Sequence, residues 1–292
     1  MAGPWPLLKQ FCRGEAVPLR IGHIEYANCT PIFAALRRLF DCDTYQFIKD
    51  VPSRLNRMLA EGAVDLCPSS SLEYGRSAGN YLLLPDLSIS SVGPVKSVFL
   101  FSRLPLEQLD GKPIGLSAES ETSVALLKIL LRKYYGFSNS YFSLDPANYT
   151  NAFDTCSAVL LIGNTAMKWN ARNEKLYRYD LGELWYSFTR LPFVFALWII
   201  RKDFAVARRE ESLLISSRFL AAKQASLSML KEFAAECEES SWMSRNSLIG
   251  YWENISYDLT PLHVSGVKAF FQDAVAVGIL RETPEIRFLR QS

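Results

Sequence analysis

Histidine is scarce in this chain, with only His23 and His263 among 292 residues, and the 6 cysteines (Cys12, Cys29, Cys42, Cys67, Cys156 and Cys237) include no Cys-x-x-Cys pair. A structural zinc site needs clustered thiolates and imidazoles, so none is expected, and reduced thiols are. Gly115 lacks a Gly-x-Gly-x-x-Gly setting, which leaves dinucleotide binding unsupported. A Ser-His-Asp hydrolase lacks its nucleophile-elbow pattern. The most apolar run, Leu191 to Ile200, is about half the length of a membrane-spanning helix and is bounded by Arg190 and Arg201, so no membrane partner is expected. Residues 1–18 carry no apolar stretch of signal-peptide length or cleavage site, and they are expected to be a short extension on a cytoplasmic protein. Neither charge dominates, with 32 Lys and Arg against 30 Asp and Glu, which argues against nucleic acid as a partner. Internal repeats and low-complexity tracts are missing too.

What is present is a core-forming chain, 49% hydrophobic, that alternates short apolar strands with amphipathic helices. Leu19 to Ile24 reads as a strand, and Pro31 fits the first turn of a helix carrying Ile32, Phe33, Leu36 and Leu39. Thr44–Ile48 and Val64–Cys67 read as further strands around a helix over Val51–Glu61 that stops at Gly62. A parallel α/β sheet follows from that alternation, and its ligands gather at the carboxyl ends of strands. Two apolar runs, Val95–Ser102 and Phe193–Ile200, enclose a second set: strand Ile114–Leu116, helix Val124–Tyr135, strands Tyr141–Phe142 and Ala158–Ile162, and helix Leu181–Phe188. The pattern predicts two lobes. The first is discontinuous (19–103 and 193–292), the second is inserted (104–192), and the two runs serve as crossover hinge strands. Helices over Ala205–Ala222, Ser226–Glu238, Arg245–Trp252 and Pro261–Val277 are expected to cover the first lobe.

At two places a strand spills hydroxyl residues into a helix start. One is Ser117 to Ser123, and the other is Pro68-Ser69-Ser70-Ser71. Unpaired N–H groups beside hydroxyl donors can hold an anion, though each hydroxyl can equally serve as a helix cap. Two such places in one chain point to a small molecule with more than one carboxylate.

Several segments taken together resemble a known family. They are Arg20-Ile21-Gly22-His23-Ile24 with Asn28 and Pro31; Gly62-Ala63-Val64-Asp65 leading to Pro68-Ser69-Ser70-Ser71-Leu72-Glu73-Tyr74; Gly93 to Val98; and Ser120-Glu121-Thr122-Ser123. Leu160 to Asn164, Asp180-Leu181-Gly182, Trp185 and Leu191 to Trp198 agree, in order. They look like the chorismate dehydratases of the futalosine route to menaquinone. The resemblance implies a periplasmic-binding-protein type II-like fold and loss of water from chorismate to give 3-(1-carboxyvinyloxy)benzoate. Asn164 stands where that pattern has Asp, and Arg190 where it has Gly.

Such a reaction needs two carboxylates held, a leaving hydroxyl aligned and one proton handled, and it transfers no electrons, so no cofactor and no metal is expected. Thr122 and Ser123 are assigned to one carboxylate, Ser70 and Ser71 to the other, Ser97 to the ligand between the lobes, and Asn28 to the leaving hydroxyl. No side chain stands out as a base. His23 lies in a strand whose alternation leaves its direction open, and a substrate carboxylate is the expected proton acceptor. Trp185 and Trp198 read as core. A sister enzyme, dihydroxynaphthoate synthase, shares the fold but uses a second-lobe His, which residues 104–192 lack. A non-catalytic binder of a small carboxylate is the remaining alternative, since the fold alone does not imply catalysis.

Overall fold

The computed structural model describes residues 18–172 and 175–290, so the expected N-terminal extension lies outside the described residues apart from Pro18. The chain opens with β1 (Leu19–Ile24), α1 (Thr30–Leu39), β2 (Tyr45–Asp50), α2 (Pro52–Ala60), β3 (Leu66–Ser70), α3 (Ser71–Ser77) and β4 (Tyr81–Ser91). It continues through β5 (Val98–Ser102), β6 (Pro113–Ser117), α4 (Glu121–Ile129), β7 (Ser140–Leu144), β8 (Ala158–Ile162), α5 (Gly163–Asn170), β9 (Tyr177–Asp180) and α6 (Leu181–Thr189). The last part holds β10 (Phe193–Arg201), α7 (Lys202–Ala207), α8 (Arg209–Ser226), α9 (Leu230–Glu236), α10 (Arg245–Asn254) and α11 (Pro261–Ala276).

These strands make two five-stranded sheets, ordered β2-β1-β3-β10-β4 and β7-β6-β8-β5-β9. Each sheet has a parallel part, β1 with β2 and β3 in the first and β6 with β7 and β8 in the second. An antiparallel strand from the crossover, β10 or β5, then joins each one, and β4 and β9 complete the far edges. β10 lies between β3 and β4 with helices over its faces, which is why Phe193 to Ile200 is a continuous apolar run with no alternation.

β5 shows the same burial. Phe99 and Phe101 pack with Leu161 and Trp169 on one face, while Val98 and Leu100 join the main core on the other. The run containing it, expected to close the first lobe as a hinge strand, is instead an interior strand of the second sheet, paired with β8 and β9. The other run, Phe193–Ile200, is likewise laddered on both edges, between β3 and β4. The backbone free of both sheets is 92–97 on the way out and 190–192 on the way back.

α1 forms because Pro31 sits in its first turn, Arg37 and Arg38 complement its last, and Ile32, Phe33 and Leu36 are buried. α8 packs on α1 and β4, and α11 on β10, so the C-terminal helices do cover the first sheet. Gly266 is what lets α11 approach the return crossing, since a Cβ there would meet the Pro192 carbonyl oxygen at 2.1 Å. β4 was not anticipated: Pro85 and Asp86 break its sequence pattern, and the ladder accommodates them as an irregularity with Asp86 at φ 55°.

Arg190 ends α6 in the left-handed region, at φ 57° and ψ 19°, with its N–H donated to the Tyr186 carbonyl at 2.9 Å. Glycine occupies such a position without steric cost. Arg190→Gly is expected to raise unfolding free energy by about 0.5–1 kcal/mol after the loss of the guanidinium's stacking on Tyr186. Urea denaturation checks it, and a lower midpoint for the glycine variant would count against backbone strain at this cap.

Candidate active site

A cavity of about 50 Å³ lies between the two sheets. It is built from the carboxyl ends of parallel strands: Ile24 from β1, Ser70 from β3, Ile162 from β8, and Ser120 and Ser123 just beyond β6. Phe195 and Ala196 of β10 and Val95 and Ser97 of the outgoing crossing supply the floor. A larger hollow of about 880 Å³ near Arg201 and Asn80 is open to solvent and away from these strand ends.

The hydrogen bonds at the lining residues leave a definite pattern of free groups. Ser70 caps α3, and its oxygen accepts from the Glu73 N–H at 3.3 Å and from Asn56 Nδ2 at 3.0 Å. Its own proton is therefore left to give. Ser123 is similar: its oxygen accepts from Ser120 Oγ at 3.1 Å, and Ser120 in turn caps α4 by accepting from the Ser123 N–H. Ser97 accepts from the buried Tyr251 hydroxyl at 3.0 Å and, among the described residues, reaches an acceptor only in the Val95 carbonyl at 3.5 Å, too long to hold its proton firmly. Asn28 presents the complement. Its Oδ1 is buried with no partner among the described residues, while its backbone carbonyl is anchored by the Tyr257 hydroxyl at 2.9 Å.

Four of the residues assigned from sequence, Asn28, Ser70, Ser97 and Ser123, thus share one cavity. Ser71 and Thr122 are not in its lining. Ser71 Oγ donates to the Val194 carbonyl at 2.6 Å, and Thr122 Oγ1 accepts from the Leu72 N–H at 3.0 Å. The second bond crosses between the lobes. So do the bonds from the Ala27 N–H to Asn164 Oδ1 at 3.0 Å and from the Ser53 N–H to the Glu119 carbonyl at 3.2 Å, and the Arg76–Glu121 ion pair. The cleft is shut. A cavity of about 50 Å³ takes a few waters, against the roughly 300–1,000 Å³ of ordinary ligand pockets, so a ligand must part these contacts to enter.

Sequence reasoning missed Tyr26 and Gly163 in the lining and Asn56 behind it, and it placed Ser120 in the hydroxyl stretch without giving it a role. Asn56 is buried on the inward face of α2 and holds both Ser69 Oγ, at 2.5 Å, and Ser70 Oγ. An amide amid Leu55 and Leu59 on an apolar face was the available signal. Trp185 and Trp198 are fully buried in the core.

His23 lies on the α1 side of β1, stacked on Phe33 at 4.1 Å, with Nδ1 accepting from Arg37 at 3.2 Å. A guanidinium only donates, so the ring is neutral with its proton on Nε2. Burial first, then Arg37 and Lys49, lowers its pKa to about 4. A pKa depressed on folding gives stability that is full above the ordinary value near 6.5 and is lost as pH falls toward 4. His23→Gln is therefore expected to flatten the acid limb of the stability curve in that window by on the order of 2 kcal/mol and to leave turnover intact. Unfolding midpoints from pH 7 to 4 check the first part, and an unchanged pH dependence would show that the ring protonates without cost. His263 is bound between Ser256 and Thr260, away from the cavity. Among the described residues no group of three or more His, Cys, Asp or Glu is placed to hold a metal, and no helix is long and apolar enough to cross a membrane.

Two sheets joined by crossovers, with a hydroxyl-lined cavity at their strand ends, define a two-lobed cleft protein of the periplasmic-binding-protein-like class. Solved structures agree: a protein of Archaeoglobus fulgidus superposes with TM-score 0.72 over 91% of this chain and 100% of its own at 17% identity. The periplasmic aliphatic sulphonate binding protein of Escherichia coli does so with TM-score 0.66 over 93% and 96% at 12% identity. Within that class, residues 19–276 match the menaquinone biosynthesis family, and the chain belongs to it. A curated relative, the chorismate dehydratase of Thermus thermophilus, is 35% identical over 202 residues, 64% of this chain and 71% of the relative.

Proposed function

We propose that the protein is a chorismate dehydratase, a hydro-lyase of menaquinone biosynthesis, acting at the cavity between its lobes. The observation that carries the reading is the pattern of free groups in a chain of this family: hydroxyl protons at Ser70, Ser97 and Ser123, and an amide oxygen at Asn28 that wants a donor. Chorismate has two carboxylates to accept and one ring hydroxyl to donate. The lining contains no Lys or Arg, so the dianion is held by hydroxyls and by the N–H groups that opening exposes, such as that of Leu72. Thr122, released from Leu72, then joins Ser123 on one carboxylate, and Ser71 stays a tether beneath Ser70. Asn164 keeps an acceptor for the Ala27 N–H without adding a negative charge beside an anion site.

The chemistry then follows. The ring hydrogen beside the ether is acidified through the conjugated ring carboxylate, and loss of the neighbouring hydroxyl makes the ring aromatic. The lining residues carry no imidazole, amine or carboxylate, and the Glu119 carboxylate near the Tyr26 phenol accepts from the Ser117 and Tyr149 hydroxyls. A carboxylate of the substrate takes the proton from the ring carbon, the carbon–oxygen bond breaks, and hydroxide with that proton leaves as water. The reading requires no metal or organic cofactor. It includes a cytoplasmic setting, in keeping with the free cysteines, and lobes that move about residues 92–97 and 190–192. Purified protein incubated with chorismate, with and without added divalent metal, tests it by the ultraviolet spectrum of the aromatic product. Absence of product in both would overturn it.

A further inference from the structure

Two polar atoms on residues lining this cavity have no hydrogen-bond partner among the described residues, and they stand two residues apart on one loop. Besides Asn28 Oδ1, the hydroxyl of Tyr26 is shut away from water with nothing in hydrogen-bonding geometry among the described residues. Buried polar groups in folded proteins are nearly always paired, so an acceptor and a donor both left open on residues that line one cavity call for a partner brought by the ligand. A single hydroxyl group is that partner, because it gives one proton and accepts one.

Tyr26 is held where it is. The Ala27 N–H after it is bound to Asn164, the Ala27 carbonyl accepts from Trp252 Nε1 at 2.6 Å, and its own carbonyl accepts from the Cys29 N–H at 2.9 Å. Its ring lies on Gly163, which sits at φ 57° and whose Cβ, were there one, would meet two ring carbons at 2.9 Å. The second lobe thus uses a glycine to seat a first-lobe tyrosine. We propose that Tyr26 is a catalytic residue: in the closed complex its hydroxyl donates to the departing ring hydroxyl of the substrate, whose hydrogen is held by Asn28 Oδ1. Burial first, then the Glu119 carboxylate, through its charge and an approach to the phenol that falls outside good hydrogen-bond geometry, raises the phenol's pKa, so it keeps its proton and works as a donor and not as a base, and the substrate hydroxyl competes with Glu119 for that proton. As the carbon–oxygen bond breaks, the oxygen leaves as hydroxide bonded to Tyr26 and is neutralised by the proton taken from the ring carbon. Tyr26 ends as it began. This inference rests on the reaction proposed above.

Tyr26→Phe keeps the ring on Gly163 and removes only the oxygen. Because the product has lost the hydroxyl, the variant should bind 3-(1-carboxyvinyloxy)benzoate within about threefold of wild type while kcat falls about 10²–10³-fold, the usual effect of removing a donor to developing charge. The empty variant should melt close to wild type, since the phenol has no hydrogen bond of good geometry to lose. Wild-type kcat within about threefold in Tyr26→Phe would overturn the inference alone. A lower melting point together with weaker product binding would also overturn it, by making Tyr26 structural. No turnover by wild type would remove the parent reading and this one with it.

Discussion

Replacing Asn28 with Ala is expected to cut chorismate turnover by about 10²–10³-fold while leaving the empty protein as stable as before. The two halves of that expectation come from one fact: Asn28 Oδ1 is buried without a donor in the closed cleft. An unpaired buried acceptor stabilises nothing until the ligand supplies a proton, so its removal should be felt only in the complex. The bond that anchors the loop, from the Tyr257 hydroxyl to the Asn28 carbonyl, belongs to the backbone and survives the change. Asn28→Asp separates shape from charge. It keeps an acceptor in place but sets a carboxylate against a dianion, a repulsion of about 3 kcal/mol at roughly 5 Å and an effective dielectric near 20. Affinity for chorismate should fall about a hundredfold in the Asp variant, whereas in the Ala variant the loss should be mostly in kcat. Steady-state rates and thermal melts of both variants check this. An Ala variant that turns over normally would move the leaving hydroxyl away from Asn28.

The parts of this architecture that were legible in the sequence are those with a strong period or a strong boundary residue. β1, α1 with its Pro31, β6, β8 and β10 fall where their patterns put them, because each is decided by local apolar spacing. The sheet to which β5 belongs was not legible, since a run buried on both faces carries no mark of its neighbours. α5 and β9 are short and mixed in composition, and packing decides them. At the site, the carboxyl-end rule brought out the right loops, while the choice between adjacent hydroxyls depended on rotation. β3 runs on through Ser70 instead of ending at Cys67, which sends Ser70 to the cavity and Ser71 to the Val194 carbonyl. Thr122 and Ser123 divide in the same way at the start of α4. Tyr26 left no trace in the sequence as a site residue, because what distinguishes it is an empty hydrogen-bonding position in space.

Asp180→Ala is expected to destabilise the fold by roughly 3–5 kcal/mol and to disable the site along with it. Asp180 is buried at the junction of β9 and α6, where Oδ1 accepts from the Gly182 and Glu183 N–H groups and from that of Val95, at 2.9, 3.2 and 3.0 Å. Oδ2 accepts from the Lys96 N–H at 2.6 Å. One carboxylate therefore caps a helix of the second lobe and also holds the outgoing crossing, where Lys96 is kept at φ 61°. Burial raises its pKa and the four backbone donors oppose that, so the side chain is tied to its place by the N–H groups it serves. Alanine strands the Val95 and Lys96 amides, and both Val95 and Ser97 line the cavity, so the backbone that floors the site loses its anchor. Asp180→Asn distinguishes loss of charge from loss of acceptors: one amide oxygen can still serve one cluster, but its NH₂ faces donors on the other side, and an intermediate loss is expected. Urea unfolding gives the stabilities, and chorismate affinity measured well below each midpoint isolates the site. A folded Ala variant with wild-type affinity and less than about 1 kcal/mol of lost stability would mean that the crossing is held by the ladders of β5 and β4 alone.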